Sequence, residues 1–378
     1  MKNLLLTTTL ALGMAAASLA AEIVPGRVLV KPSAQANENS MRASLNAAGA
    51  REVARIPQLG VRVLEVPEAA EERVVAALAH NPNFEFAEPD YVAEAVVTPN
   101  DTYYSSYQWH LPKIGAPAAW DVTTGAATVK IAVVDSGVQA NHPDLGGRVL
   151  AGYDFVNNDA DPSDDNGHGT AVAGAAAATG NNGSGVAGVA WNVAILPVKV
   201  LGADNTGSYS AIASGINYAA DQGARIINLS LGGTTSSRTL QSAVTYAWSK
   251  GCVIVAAAGN NGSSAAFYPA AYSEAVAVSA LTAGDVLPSW SNYGSYVDIS
   301  APGENITTTA AGGGYITMSG TSFASPLVAG AAALALSVDP SLSNTAVVSL
   351  LTSKSDDLGA AGYDIYYGAG RLNAAKVA

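Results

Sequence analysis

Cysteine is almost absent: Cys252 is the only one in 378 residues. A single thiol cannot close an internal disulfide, so the chain must be held together by packing or by bound metal. Cys252 opens the apolar run Cys252–Ala258, which suits a small buried hydrophobe better than a nucleophile. Histidine is scarce too, with four copies, and without a cysteine cluster beside them a zinc centre has no ligand set. Basic residues are few: 18 Lys and Arg against 30 Asp and Glu leave a formal charge of −12. That balance argues against nucleic acid or an anionic membrane surface as partner, and it leaves carboxylates free for cations. Long hydrophobic runs are missing as well. The stretch Leu4–Ala17 and the later Leu327–Val338, which stops at Asp339-Pro340, both fall short of the ~20 residues of a membrane span. What is plentiful is small: 38 Gly and long Ala-rich runs, in a chain 49% hydrophobic. This composition implies closely packed helices, many tight turns, and one large core with a smaller domain beside it.

The chain begins Met1-Lys2-Asn3, continues through Leu4–Ala17, and reaches Ser18-Leu19-Ala20. A basic start, a short apolar segment and small residues at a cut site predict a secretory signal peptide over residues 1–20, and hence an exported protein. Residues 21–96 form a separate module. Strand patterns at Arg27–Lys31, Val61–Val66 and Phe84–Ala87 alternate with helices at Ala36–Ala48 and Ala69–His80. The order β-α-β-β-α-β is partly visible and suggests a ferredoxin-like α+β unit. From Ala116 onward, apolar strands at Val129–Asp135, Val193–Val200, Arg225–Ser230, Cys252–Ala258, Ala275–Ser279 and Tyr296–Ser300 alternate with helices. The helices lie near Ala171–Ala178, Ser210–Asp221 and Leu240–Lys250. That pattern predicts an α/β domain over residues 97–378, a doubly wound, mostly parallel sheet covered on both faces. The polar join Glu94–Thr102 is open to cutting.

Working groups of such sheets gather beyond the carboxyl ends of the strands. Asp135 stands at the end of the Val129–Val134 run, where it could orient an imidazole, although an ordinary turn aspartate would look the same. His168 lies in Asn166-Gly167-His168-Gly169-Thr170, flanked by glycines that allow close approach. Ser322 lies in Ser319-Gly320-Thr321-Ser322-Phe323-Ala324-Ser325-Pro326, ahead of an apolar helix whose free N–H groups favour negative charge. A capping serine is the plainer explanation for it. Ala324 excludes the lipase-type elbow Gly-x-Ser-x-Gly.

Together these segments resemble the three signatures of the subtilisin-like serine proteases, the subtilases, in the order Asp, His, Ser. Asn228–Gly233 and Ala257-Ala258-Gly259-Asn260 are similar to two further family segments, and the likeness runs from about Asp101 to Ala375. It is strongest to thermitase-like members. The resemblance implies a serine endopeptidase with Asp135, His168 and Ser322 as triad and Asn260 as oxyanion donor. It further implies polypeptide substrates paired with Asn205-Thr206-Gly207 and Ser230-Leu231-Gly232, and a first pocket lined by Ala257, Gly259 and Phe267. The N-terminal module resembles the subtilase inhibitor propeptide. This implies a zymogen inhibited by its own propeptide, with Tyr91–Ala95 lying product-like in the cleft and self-cleavage within Ala93–Thr98. Calcium is the implied cofactor. Asp101, Asp144, Asn182 and the carbonyls of Thr179, Ser184 and Val186 match the family's strong site. Asp154, Asp159 and Asp161, with Asp164 as a further donor, form a second candidate, for which a solvated acidic turn is the competing explanation.

Five positions depart from the family pattern. Ala171 and Leu327 stand where histidine is usual, and Phe323 where methionine is. Asn205 replaces a glycine. Phe267 replaces a small or polar residue, which would shorten the first pocket and favour small or medium side chains. Two rival functions remain at this stage: an inactive binding protein on the same fold, and a serine esterase or amidase. No oligomerisation feature is visible, so a monomer is expected, without a membrane anchor.

Overall fold

The computed structural model describes residues 23–92 and 97–378. The expected signal peptide, and positions 93–96 of the expected cleavage segment, lie outside the described residues. The chain divides into two compact units between Ala95 and Val96.

In the first unit the elements run β1 (Ile23–Pro32), α1 (Glu38–Ala48), β2 (Arg51–Ile56), β3 (Val61–Glu65), α2 (Glu71–Ala79) and β4 (Phe84–Tyr91). The sheet order is β2-β3-β1-β4 with every pairing antiparallel, the arrangement of a ferredoxin-like sandwich. Val28, Val30 and Leu64 pack with Met41 and Leu45 of α1 and Val74 and Leu78 of α2 in one apolar core. Strand β2 is the element the apolar pattern does not reveal. It is an edge strand, largely exposed, and reads Arg-Glu-Val-Ala-Arg-Ile, so charged groups occupy the alternation that elsewhere marks a strand.

The second unit opens with α3 (Tyr104–Tyr107), α4 (His110–Lys113) and α5 (Ala116–Val122) before β5 (Lys130–Asp135) and β6 (Tyr153–Asp154). There follow α6 (His168–Ala177), β7 (Ala194–Lys199), α7 (Tyr209–Asp221), β8 (Ile226–Leu229), α8 (Arg238–Ser249), β9 (Val253–Ala257), β10 (Ala275–Leu281) and β11 (Ile299–Pro302). The hairpin β12 (Ile306–Ala310) and β13 (Gly314–Met318), then α9 (Thr321–Val338), α10 (Asn344–Ser353) and α11 (Ala374–Val377), complete it. Seven strands form one sheet in the order β11-β10-β9-β8-β5-β7-β6, parallel throughout. Ile131 and Val133 of β5 face a core shared with α6 and α9, whereas Ala132 and Val134 face the core under α7 and α8. Both faces are therefore covered, as continuous apolar strands require.

Helix α9 starts earlier than its apolar run, at Thr321, and reaches 18 residues with a mean hydropathy of 1.6. Length and composition would allow it to cross a membrane, yet 83% of it is buried within the protein, which marks it as a core helix. Its small residues let it approach its neighbours closely: a Cβ on Gly330 would stand 2.6 Å from that of Val189.

Candidate active site

Strand β5 sits where the order of the sheet reverses, with β7 on one side and β8 on the other. Loops diverge there in opposite directions and leave a crevice beyond the carboxyl ends of the strands. Asp135 ends β5 and is fully buried. His168 opens α6 after Gly167, whose φ of 101° lies in the left-handed region. Gly169 must remain glycine for space, since a Cβ there would meet the Gly137 carbonyl oxygen at 2.1 Å. The His168 Nδ1–Asp135 Oδ1 distance is 2.7 Å, and Asp135 Oδ1 also accepts the Ser136 N–H at 2.7 Å. Burial disfavours the His168 cation, but the charge and hydrogen bond of Asp135, with the charge of Asp164, outweigh it and raise the His168 pKa. The Phe323 ring lies edge-on to the imidazole, centroids 5.9 Å apart, so the residue that replaces the usual methionine braces His168.

Ser322 is in the first turn of α9. Four residues on, Pro326 has no N–H to offer the Ser322 carbonyl. That carbonyl instead accepts the Ser230 hydroxyl at 2.8 Å, and Ser325 Oγ donates to Asn228 Oδ1 at 2.7 Å. The proline thus frees a carbonyl that ties the start of α9 to the end of β8. Ser322 Oγ donates to the Ser230 carbonyl at 3.3 Å; its hydrogen bond is to that oxygen and not to the His168 ring. Asn260 follows β9, and its Oδ1 accepts the Thr321 N–H at 2.8 Å and hydroxyl at 2.9 Å. With the carbonyl end held, the amide nitrogen faces the space beside Gly320. A methyl group placed on Gly320 would stand 3.5 Å from Asn260 Nδ2 and 3.7 Å from Ser322 N. Two N–H donors therefore flank one small space, the arrangement that holds a developing oxyanion.

The segments expected to bind an extended peptide reach the same crevice. Asn205 lines a cleft of about 290 Å³ with His168, Ala310, Ala311, Ile316 and Met318. Its φ of 60° explains why glycine suits this position and why asparagine can replace it. Thr206 and Gly207 close the loop, with Gly202 N–H bonded to the Thr206 carbonyl at 2.9 Å. Leu231 and Gly232 follow Ser230 out of β8. The Phe267 ring packs between Gly232 of the expected peptide-pairing segment and Gly259 of the expected pocket: a Cβ on Gly232 would lie 2.5 Å from it and one on Gly259 3.0 Å. Ala257 is the last residue of β9. Ala171 and Leu327 are fully buried, so both departures from histidine serve packing.

Asp164, expected as a further donor to the second cation candidate, has another role in the structure. Its Oδ1 accepts Gly167 N–H at 2.7 Å, Asn166 N–H at 3.1 Å and Ser136 Oγ at 2.9 Å. Its Oδ2 accepts Thr170 N–H at 2.9 Å and Thr170 Oγ1 at 2.5 Å. It caps the amino end of α6 and joins the His168 loop to Ser136. The other acidic-loop residues serve as turn acceptors. Asp154 takes Val156 and Asn157 N–H, Asp159 takes Asp161 N–H, and Asp161 takes Ser163. Among the described residues no three His, Cys, Asp or Glu side chains group as a metal site.

Asp101, Asp144 and Asn182 of the first cation candidate lie together. Asp101 and Asp144 are both buried. Asp101 accepts Asn181 N–H at 2.6 Å, while Asp144 accepts Asn182 Nδ2 and Val186 N–H, each at 2.9 Å. Thr179 N–H donates to the Asp144 carbonyl at 2.7 Å, and Ser184 N–H to Asn182 Oδ1 at 2.8 Å. Burial raises the Asp101 pKa, and the nearby charge of Asp144 adds to the rise.

Residues 126–370 match the family model described as the subtilase family. This chain belongs to the subtilases. Residues 12–90 match a fervidolysin N-terminal prodomain. A thermophilic serine proteinase from Bacillus sp. (strain AK1) is 47% identical over 350 residues, 93% of this chain and 86% of that protein. Thermitase from Thermoactinomyces vulgaris is 50% identical over 279 residues, covering 74% and 98%. Among solved structures, a protease from Pseudoalteromonas arctica aligns with a TM-score of 0.68 at 34% identity, covering 74% of this chain and 98% of that one. A cold adapted subtilisin-like serine proteinase aligns at 0.59 with 40% identity, covering 65% and 88%. This subtilase is thermitase-like, with an N-terminal propeptide, and it is a serine endopeptidase made as a zymogen.

Proposed function

We propose that this subtilase cleaves polypeptides through an acyl-enzyme formed on Ser322, with His168 as base and Asp135 as the group that orients it. The carrying observation is the 2.7 Å contact between His168 Nδ1 and Asp135 Oδ1, which leaves Nε2 as the ring's proton acceptor. In the reaction Ser322 Oγ attacks the scissile carbonyl while His168 takes its proton; the imidazolium formed is stabilised by Asp135 and then protonates the leaving amine. Asn260 Nδ2 and Ser322 N–H receive the oxyanion. In the resting geometry Ser322 Oγ is on the Ser230 carbonyl, and a rotation about χ1 on substrate binding brings it to the imidazole. The peptide pairs with Asn205–Gly207 and Ser230–Gly232, and Phe267 restricts the first pocket to small or medium side chains. The first unit inhibits the second until Ser322 cuts the join between them, and the protein is exported.

Calcium fits the Asp101–Asp144 site by its chemistry. Two buried carboxylates with an amide and loop carbonyls form a hard oxygen donor set, and a cation would offset the burial and the smaller Asp144 repulsion that raise the Asp101 pKa. Asp101, Asp144, Asn182 and the carbonyls of Thr179, Ser184 and Val186 would hold it. Its contribution would be structural, in a chain with one cysteine and no disulfide.

A serine-directed sulfonyl fluoride tests the proposal. Peptide mapping should find one adduct, on Ser322, in proportion to lost caseinolysis. An adduct elsewhere, or activity surviving full labelling of Ser322, contradicts it.

A further inference from the structure

Lys199, the last residue of β7, is 1% exposed. It is the register partner of Asp135 across the parallel β5–β7 pair. A buried ammonium is costly unless every proton finds an acceptor, and here all three do. Nζ donates to the Ser136 carbonyl at 2.8 Å, the Leu201 carbonyl at 2.8 Å and Asp165 Oδ1 at 2.6 Å. These acceptors belong to three different parts of the site. Ser136 follows Asp135, Asp165 precedes His168 in its loop, and Leu201 leads into the Asn205–Gly207 segment. Three other bonds run along the same lines. Val200 and Leu201 N–H donate to the Asp135 carbonyl at 2.8 and 3.1 Å, and Asn166 Nδ2 donates to the Ala203 carbonyl at 2.9 Å. An apolar side chain of similar length would fill the volume of Lys199 but could not join these segments.

We infer that Lys199 is a positioning residue that locks the Asp135–His168 pair to the peptide-docking segment, so that alignment of the base and seating of the substrate are set together. This rests on the triad proposed above. Losing the lysine leaves two buried carbonyls without their donor and lets the three segments shift independently. Because misplacement of about 1 Å can cost ~10²-fold in rate, the loss should be largest for substrates that use the docking segment.

The test compares Lys199→Met and Asp165→Ala with wild type, all made from the full chain and normalised to sites titrated by the sulfonyl fluoride. Each is assayed on an extended peptide anilide and on a small ester that does not reach Asn205. For Lys199→Met, kcat/KM per titrated site should fall about 100-fold on the peptide and about 10-fold on the ester. Asp165 is half exposed, so Asp165→Ala spares the fold; it should show the same split at roughly two- to fivefold on the peptide, and it decides the matter if Lys199→Met does not fold. Constants unchanged per titrated site, with only a lower melting temperature, would make Lys199 a structural strut and overturn the inference. An equal fall on both substrates would overturn the coupling. Failure of the triad proposal would show differently, as absence of the Ser322 adduct in wild type.

Discussion

Replacing Asp164 by Ala or Asn separates its structural role from its electrostatic one. Alanine removes an acceptor for five donors, of which three, the Thr170 N–H and hydroxyl and the Ser136 hydroxyl, are in fully buried residues. Water can reach the exposed side of the loop and repair part of the loss. Each buried group left unpaired costs about 1–3 kcal/mol, so the net destabilisation should be about 3 kcal/mol. For a domain of this size that lowers the melting temperature by roughly 5 °C. Asparagine keeps the shape and one acceptor but removes the charge, which helps to raise the His168 pKa. The sign follows directly. His168 must be neutral to act as base, so losing a neighbouring anion moves the acid limb of kcat/KM to lower pH. Thermal melts and pH profiles on a peptide anilide measure both effects. An acid limb that stays in place in Asp164→Asn, or a melting temperature unchanged in Asp164→Ala, refutes the reasoning.

Asn260→Ala should lower kcat by about 10²–10³-fold with little change in KM, a magnitude taken from a subtilisin's own oxyanion asparagine and not worked from this geometry; steady-state kinetics check it. Phe267→Ala should open the space between Gly232 and Gly259 and shift peptide-library cleavage toward Phe or Tyr, whereas a wild-type enzyme already preferring those residues would contradict the pocket assignment. Burial pushes the His110 pKa down to about 3, while the unfolded chain binds that proton near 6.5. The ionisation of His110 therefore costs nothing above pH 6.5, and stability falls as pH drops from there, by roughly 4–5 kcal/mol at pH 3. His110→Phe should flatten that part of the stability–pH curve in chemical denaturation. Chelation of calcium should lower the melting temperature, and Asp144→Asn should make the protein insensitive to the chelator.

Much of the architecture was readable because its determinants are local. Buried parallel strands are apolar along their whole length, so β5, β7, β8 and β9 stood out, and Asp135 was marked by ending one of them. The hairpin β12–β13 was not visible: Thr307, Thr308 and Thr309 are buried, but the Thr307 hydroxyl pairs with Thr317 across the hairpin, and those of Thr308 and Thr309 reach the Ala171 and Thr170 carbonyls of α6, each at 2.7 Å. The start of α9 was hidden because Gly320-Thr321-Ser322 lacks the apolar period that continues from Phe323. Asp164 and Lys199 were missed for a shared reason. Each acts by joining segments distant in sequence, and nothing in the local pattern separates a bridging carboxylate from a turn residue or a buried lysine from a strand end. The bond from the Ser230 hydroxyl to the Ser322 carbonyl, likewise, depends on how Pro326 leaves that carbonyl free.

The most direct test of the account is intact mass with N-terminal sequencing of the purified protein, as wild type and as Ser322→Ala. Wild type should lack the first unit, its new N-terminus falling within Ala93–Thr98, while Ser322→Ala keeps that unit attached. If both retain the first unit and neither digests casein, or if both are processed alike, self-cleavage by Ser322 is contradicted.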